Sequence, residues 1–280
     1  MAHYQITLAY DGTDFQGFQR QGKARTVQVE FEVALHRLNW QGRTILAAGR
    51  TDTGVHAAGQ VVAFELDWVH SSEALGRALN ANLPADIAVK AVREAEPDFH
   101  PRYSARSRTY QYSIFCEPER NPLKERYAWR VWPAVDLQSL QAAASLLAGT
   151  HDYAAFGSPP RPTGSTVRAV FQASWEQQTE GLLFEICANA FLYHMVRRIV
   201  YLEVLAGQNR LDLKDLAQAV QEAKSQPPGL APPQGLVLWT VQYEPDWQDS
   251  SEGSRYGQPE HLRNHSKVSG DDDRGQDLRP

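Results

Sequence analysis

Gly49-Arg50-Thr51-Asp52-Thr53-Gly54-Val55-His56-Ala57 separates two strand-like runs, residues 44–48 and 60–66. Its two glycines suit sharp turns and positive φ. Between them stands a single carboxylate, Asp52, two residues after Arg50. Read alone, such a loop is an Asx-type turn in which Asp52 bonds its own backbone and Arg50 is solvated. The flanking segments decide the fold. Residues 4–10 alternate as a strand and end in the turn residues Asp11-Gly12-Thr13. Thr26 can cap a helix in which Val27, Phe31, Leu35 and Leu38 recur at spacings of four, four and three, one face of a helical period. Downstream, Ser71 and Ser72 open a second helix over 74–79, and residues 87–92 read as a strand. The order β-α-β-β-α-β is that of a ferredoxin-like split unit, with Asp52 on the connection between its second and third strands.

A polar, proline-containing connector, residues 96–101, leads into a second half. Residues 107–115 alternate, with Thr109, Gln111 and Ser113 on one face and Tyr110, Tyr112 and Ile114 on the other. Residues 137–147 read as a helix ended by Gly149, and 167–176 with 182–188 as a hairpin about Glu180-Gly181. Residues 191–205 and 213–223 read as helices and 236–243 as a final strand. The second half thus approximates the first with added elements. The expected class is α+β: two ferredoxin-like (βαββαβ) halves, residues 1–100 and 101–246, with adjoining antiparallel sheets and a central cleft. Pro159-Pro160-Arg161-Pro162-Thr163-Gly164 is too proline-rich for a core element and reads as a mobile surface loop. Residues 247–280 are poor in apolar side chains and include Asp271-Asp272-Asp273. That composition cannot offset the entropy of ordering, which predicts a disordered acidic tail.

Charge does not exclude a polyanionic partner. The chain carries 33 acidic and 28 basic residues, a net charge of −5. Nine of those acids and five of those bases lie from residue 244 onward, which leaves 24 against 23 in residues 1–243. Local patches therefore matter more than the sum, and residues 100–115 hold Arg102, Arg106 and Arg108 with no acid. The hydrophobic content of 42% supports a substantial core. Cys116 and Cys187 are far apart and lack metal-type spacing, which argues against a disulfide framework or a zinc site and fits a reducing compartment. No run approaches the ~18 apolar residues of a membrane helix, and residues 1–11 lack a basic-then-apolar leader. The expectation is a cytoplasmic protein with no metal and no membrane partner.

Taken whole, the stretch from Gly49 to Ala57 resembles the active-site loop, G-R-T-D-x-G-V-H-A, of the pseudouridine synthases of the TruA type. Asp11-Gly12 with Gly17 and Gln19 resembles that family's D-G-x-x-x-x-G-x-Q segment. Arg108-Thr109-Tyr110-Gln111-Tyr112 resembles its basic-x-Tyr-x-Tyr strand. Phe191-Leu192-Tyr193-His194-Met195-Val196-Arg197 resembles its F-L-x-x-M-V-R helix start, and Ala231-Pro232-Pro233-Gln234-Gly235-Leu236 its A-P-x-x-G-L segment, which helps line the uracil pocket. The resemblance covers roughly residues 3–243 and leaves out the tail.

It implies the pseudouridine synthase fold and isomerisation of uridine in the anticodon stem-loop of tRNA, at positions 38, 39 and 40, by a homodimer without cofactor. It also implies roles: Asp52 as the catalytic nucleophile, Arg197 as its ion-pair partner and Tyr110 as the ring that stacks on the target base. Arg50 is a substrate-binding candidate, placed to fill the vacated space or hold a flanking phosphate. The family usually has Gly where Tyr201 stands, a departure that bears on local helix packing.

Read without the motifs, these residues admit other roles. Tyr110 can be a core ring, with Tyr112 on the same face as its packed alternative. Arg197 can be a solvated residue beside the apolar stripe Leu192, Met195, Val196 and Ile199. Phe15 and Phe18 can belong to a surface loop with rings tucked inward, residues 229–236 to a proline-rich turn, and His56 to the loop's structure.

The implied chemistry explains the inventory. Uridine and pseudouridine are isomers: the N1–C1′ bond breaks, the uracil turns, and C5 bonds to C1′. No atoms enter or leave, so neither cofactor nor energy source is required. An ionised carboxylate can attack C6 or C1′, or stabilise positive character at C1′, and the sequence leaves all three open. Desolvation beside RNA disfavours a charged carboxylate, and an adjacent arginine opposes that. Extruding the target nucleotide costs a few kcal/mol, offset in part by stacking at ~1–3 kcal/mol per base. Two rivals differ in class. A non-catalytic RNA-binding module with aromatic strands gains nothing from an anion facing phosphate. A base-removing glycosidase usually deploys two carboxyls, and here one stands in a motif.

Overall fold

Alternation in the first strand is realised residue by residue. In β1 (Ala2–Tyr10), Tyr4, Ile6, Leu8 and Tyr10 are buried and the residues between them half-buried, the period of two of a strand with one face on a core. Against that face α1 (Val27–Arg37) turns Val27, Phe31, Ala34 and Leu35, with the Thr26 side chain accepting from Val29 N at its start. The helix α2 (Ser72–Asn82), capped by Ser71, adds Leu75 and Leu79. Two strands, β3 (His56–Leu66) and β4 (Ile87–Glu94), flank β1 antiparallel. With the two-residue β2 (Leu46–Ala47) beside β3, the first half has the β-α-β-β-α-β order its sequence predicts. The computed structural model describes residues 1–243, so the tail expected over 247–280 lies outside the described residues.

The second half runs β5 (Ser107–Phe115), β6 (Trp129–Arg130), α3 (Leu137–Ser145), β7 (Gly149–Asp152), β8 (Val167–Gln178), β9 (Gly181–Ala188), α4 (Met195–Gly207), α5 (Leu213–Glu222) and β10 (Leu236–Gln242). The short β6 and β7 were not expected: two to four residues carry too little alternation to read. In β9, Leu182, Phe184, Ile186 and Ala188 are buried in turn, and α3, α4 and α5 join them in one hydrophobic cluster.

The two halves share one sheet. β10 enters between them, parallel to β3 through Val237–His56 and Leu238–Ala57 and antiparallel to β5. The strand order is β4-β1-β3-β10-β5-β9-β8-β7. This pairing explains why β3 starts at His56, four residues before the expected run: its first residues leave the Asp52 loop already paired with β10. Gly59 makes the close approach possible, since a Cβ there would stand 2.4 Å from Trp239 O. Among the described residues no helix is long and apolar enough to cross a membrane.

The helix α4 also buries an acid. Glu203 is fully buried; its Oε2 accepts from Trp175 Nε1 at 2.9 Å, and its Oε1 meets no hydrogen-bond partner among the described residues. Burial pushes this carboxyl well above its ordinary value, opposed by the Trp175 bond, so it is held as a neutral acid. A raised folded-state pKa gives stability that is complete below the unfolded value near 4.5 and lost as pH rises toward the folded one. Glu203→Gln keeps an acceptor and cannot ionise. In thermal melts the variant should gain on the wild type by about 1.4 kcal/mol for each pH unit above the unfolded value, until the folded value is reached. A difference that does not change with pH would place an ionised carboxylate in the core.

Candidate active site

The Asp52 loop is held by backbone bonds from several directions. Ala48 N donates to Val61 O at 2.8 Å, Phe18 N to Thr51 O at 3.0 Å, and Gly54 N to Phe15 O at 3.3 Å. Val55 N donates to Asp52 O at 3.1 Å and closes the turn. Gln60 Nε2 donates to Gly49 O at 3.0 Å, and the Tyr10 and Thr51 hydroxyls lie 2.8 Å apart. Phe15 and Phe18 bury their rings in the first core. The segment 11–19 is thus a buttress under the loop, with its rings tucked inward. Gly54 does take positive φ, +77°, with Pro233 against it. Gly49 does not, and a Cβ there would meet nothing within 4 Å. One glycine makes the turn, not two.

His56 is structural. Its Nδ1 accepts from Gly12 N at 2.9 Å, with Asp11 Oδ1 3.1 Å away. A nitrogen that accepts carries no proton, and burial pushes the imidazole pKa down against the pull of Asp11. The neutral ring ties the end of β1 to the end of the loop.

Asp52 meets Arg197 across the seam. Arg197 Nη1 donates to Asp52 Oδ2 at 2.9 Å and Nε donates to Ala231 O at 2.8 Å, while Ala231 N donates to Arg197 O at 3.1 Å. The side chains of Arg197 and Asp52 are 12% and 19% exposed. The stripe Leu192, Met195, Val196 and Ile199 is buried, so Arg197 stands beside the stripe and faces the loop. The helix begins at Met195, later than the predicted 191, because His194 takes φ +66° and Tyr193 N is drawn to Ser158 O at 2.9 Å. Arg198 donates to Gly229 O and Gln226 O at 2.8 and 2.9 Å. Tyr201 lies over Gly229, where a Cβ would stand 2.1 Å from its ring. The departure at Tyr201 is accommodated by that glycine.

The two tyrosines of β5 separate in role. Tyr112 is fully buried and its hydroxyl donates to Pro232 O at 2.7 Å; it is the packed ring. Tyr110 is half-buried, with its ring edge-on to Phe191 at 5.0 Å and 86°. Burial first, then Tyr10 and Asp52, push its hydroxyl well above the usual range, so it stays a neutral phenol.

Arg50, Asp52, Tyr110, Phe191, His194 and Arg197 line one open cleft. Leu236, from the A-P-x-x-G-L segment, lines it too. Arg50 is exposed. All four residues picked from the sequence, Asp52, Arg197, Tyr110 and Arg50, thus converge. His194 was missed: it occupies a free position of F-L-x-x-M-V-R, yet its Nε2 lies 3.5 Å from Asp52 Oδ2. Arg108 is a correction in the other direction. It is buried, and its guanidinium donates to Asn189 O, Ala48 O and Arg102 O at 2.8, 3.1 and 2.6 Å. It cannot meet a phosphate; it knots together the chain segments leading into the cleft. Arg102 and Arg106 are exposed.

Chemically, the cleft offers a carboxylate beside a fixed cation, a flat ring for stacking, and a second cation open to solvent. A family model described as tRNA pseudouridine synthase matches residues 6–104 and 143–244. Arg50, Asp52 and Arg197 fall inside those segments and Tyr110 between them. A tRNA pseudouridine synthase A of Geobacillus sp. (strain WCH70) is 39% identical over 243 residues, 86% of this chain and 98% of that one. Its counterpart in Chloroflexus aurantiacus (strain ATCC 29366 / DSM 635 / J-10-fl) is 40% identical over 246 residues, 86% and 88%. That of Streptococcus pneumoniae (strain P1031) is 37% identical over 248 residues, 87% and 100%.

Proposed function

Because the chain belongs to the tRNA pseudouridine synthase family, we propose that it isomerises uridine to pseudouridine in tRNA, with Asp52 as the nucleophile. The 2.9 Å contact between Arg197 and Asp52, residues 145 apart in the chain, carries this reading. A carboxylate that must work beside RNA needs a fixed positive neighbour, and a pure binding surface has no use for the pair. Residues 1–100 bring the carboxylate loop, and residues 101–246 bring the tyrosine and the arginine.

The target uridine leaves the stack and its base enters the cleft, where the Tyr110 ring replaces part of the lost stacking. Arg197 stays bonded to Asp52 through Nη1 and holds the carboxylate in place while water is displaced. The carboxylate forms a covalent bond with the nucleotide, the N1–C1′ bond breaks, the uracil turns and C5 closes on C1′; the bond to Asp52 is then released, the C5 proton departs and N1 takes up a proton. Atoms balance without a co-reactant, so no cofactor is invoked. Arg50, exposed at the cleft, engages the flanking backbone. By family resemblance the targets are positions 38, 39 and 40 of the anticodon stem-loop, the working form is a homodimer, and the site of action is the cytoplasm.

Incubation with unmodified tRNA, followed by position-specific mapping, tests this. Pseudouridine should appear at positions 38–40 with RNA mass unchanged. Loss of uracil mass would identify a glycosidase, and binding without product an RNA-binding module.

A further inference from the structure

We infer that His194 is a positioning residue for Asp52: with Arg197 it holds carboxylate oxygen Oδ2 and so turns Oδ1 toward the nucleotide. The inference rests on the isomerase reading above and adds a residue to it. Two nitrogens converge on one oxygen, Arg197 Nη1 at 2.9 Å and His194 Nε2 at 3.5 Å. The second distance is longer than a formed hydrogen bond, and such contacts tighten when substrate fills a site.

The backbone at His194 supports a purpose for this placement. Its φ of +66° and ψ of 0° put a non-glycine residue in the left-handed region, a conformation that costs free energy and clusters at functional sites. His194 is the N-cap of α4, yet its side chain makes no capping bond. Its ring lies instead against the Tyr193 ring, with centroids 3.7 Å apart and planes at 32°, and its Nε2 faces the carboxylate. An N-cap residue chosen for capping would be Ser, Thr, Asp or Asn.

The groups facing His194 are Asp52 from the loop and Arg197 from its own helix, with Arg50 and Tyr110 across the same cleft. Burial pushes the imidazole below its ordinary pKa; Asp52 opposes this and Arg197 adds to it. Near pH 7 the ring is neutral and offers Asp52 an N–H without a full charge. Below that pKa an imidazolium beside Oδ2 would bind the carboxylate more tightly and blunt it as a nucleophile. Turnover should therefore fall on the acid side as His194 protonates.

Two variants separate the ring from the backbone. His194→Gly fits the left-handed conformation and removes the ring; His194→Asn also tolerates it and keeps an N–H donor that does not titrate. Single-turnover pseudouridine formation, KM for unmodified tRNA and melting temperature are measured for both and for the wild type from pH 5 to 8. His194→Gly should lose on the order of 10- to 100-fold in kcat, the cost of a misplaced reacting group, with KM and melting temperature unchanged. His194→Asn should recover most of that loss at pH 7 and lack the acid limb. A glycine variant with wild-type kcat and pH profile would overturn the inference alone, leaving His194 a left-handed turn residue before α4. A raised KM with kcat intact would also overturn it, by making His194 an RNA contact. A wild type that forms no pseudouridine would overturn the isomerase reading, and this inference with it.

Discussion

Asp52→Asn should end isomerisation while the protein stays folded and still binds tRNA. The amide has the shape of the carboxylate, and its oxygen can still accept from Arg197 Nη1, now 2.9 Å from Oδ2. The loop keeps its fixings, because the bonds from Phe18 N, Gly54 N and Gln60 Nε2 do not involve the Asp52 side chain. What disappears is the anion. An amide cannot form the covalent bond to the nucleotide, and loss of a nucleophile costs on the order of 10⁴-fold or more in turnover. Arg197 is left with an uncompensated charge at 12% exposure, which should cost about 1 kcal/mol of stability. Affinity for tRNA should hold or rise slightly, since a negative charge near phosphate has been removed. Single-turnover assays and binding titrations on the same preparation check this, with mass spectrometry to exclude deamidation back to Asp. Turnover at the wild-type rate would remove Asp52 from the chemistry.

Arg197→Ala has the next largest expected effect. The guanidinium does two jobs, donating to Asp52 through Nη1 and to Ala231 O through Nε. Truncation leaves the carboxylate without its fixed cation when RNA displaces water, and kcat should fall by about 10²–10³-fold, the scale for losing one preorganised electrostatic partner. Breaking a fully buried ion pair costs about 3–5 kcal/mol. This pair is 12% and 19% exposed, so water can reach what is left, and a loss of about 1–3 kcal/mol is expected. Arg197→Lys discriminates charge from geometry. A lysine keeps the charge but lacks the planar fork and cannot bridge Asp52 and Ala231 together, so its activity should lie between wild type and Ala. Wild-type turnover in Arg197→Ala would show that the pair with Asp52 is not needed for the chemistry.

Much of the fold was legible because each half repeats a short-range signal. The period of two in β1 and β9 and the helical spacing in α1 mark faces buried in the structure. Such periodicity is a local property: a side chain's face follows from its place in the element. The cap residues Thr26 and Ser71 were legible for the same reason, since a cap bonds within its own turn. The start of α4 was not, because a left-handed His194 and a bridge to Ser158 have no local sequence cue. The brief β6 and β7 exist by pairing with β5 and β8, partners that cannot be chosen from a two- or four-residue run.

At the site, composition and order could name candidates and not their neighbours. The motifs picked out Asp52, Arg50, Tyr110 and Arg197 as residues of interest. Whether Tyr110 or Tyr112 faced the cleft was undecidable from the strand, since both lie on one face; Pro232 O captures the Tyr112 hydroxyl and settles it. Arg108 read as a phosphate contact because it is basic, and three backbone carbonyls, two of them from distant segments, take it instead.

The sequence by itself determined most of the longer strands and helices and which chemical groups are at hand. Tertiary structure decided that β10 threads between β3 and β5 and makes two units one sheet. It also decided that a carboxylate and a guanidinium 145 residues apart share a hydrogen bond, and that a histidine joins them. The physical reason is range. Periodicity, capping and turn chemistry act over a few residues, whereas strand pairing, burial of charge and side-chain convergence are set by whichever distant surfaces the hydrophobic cores bring together.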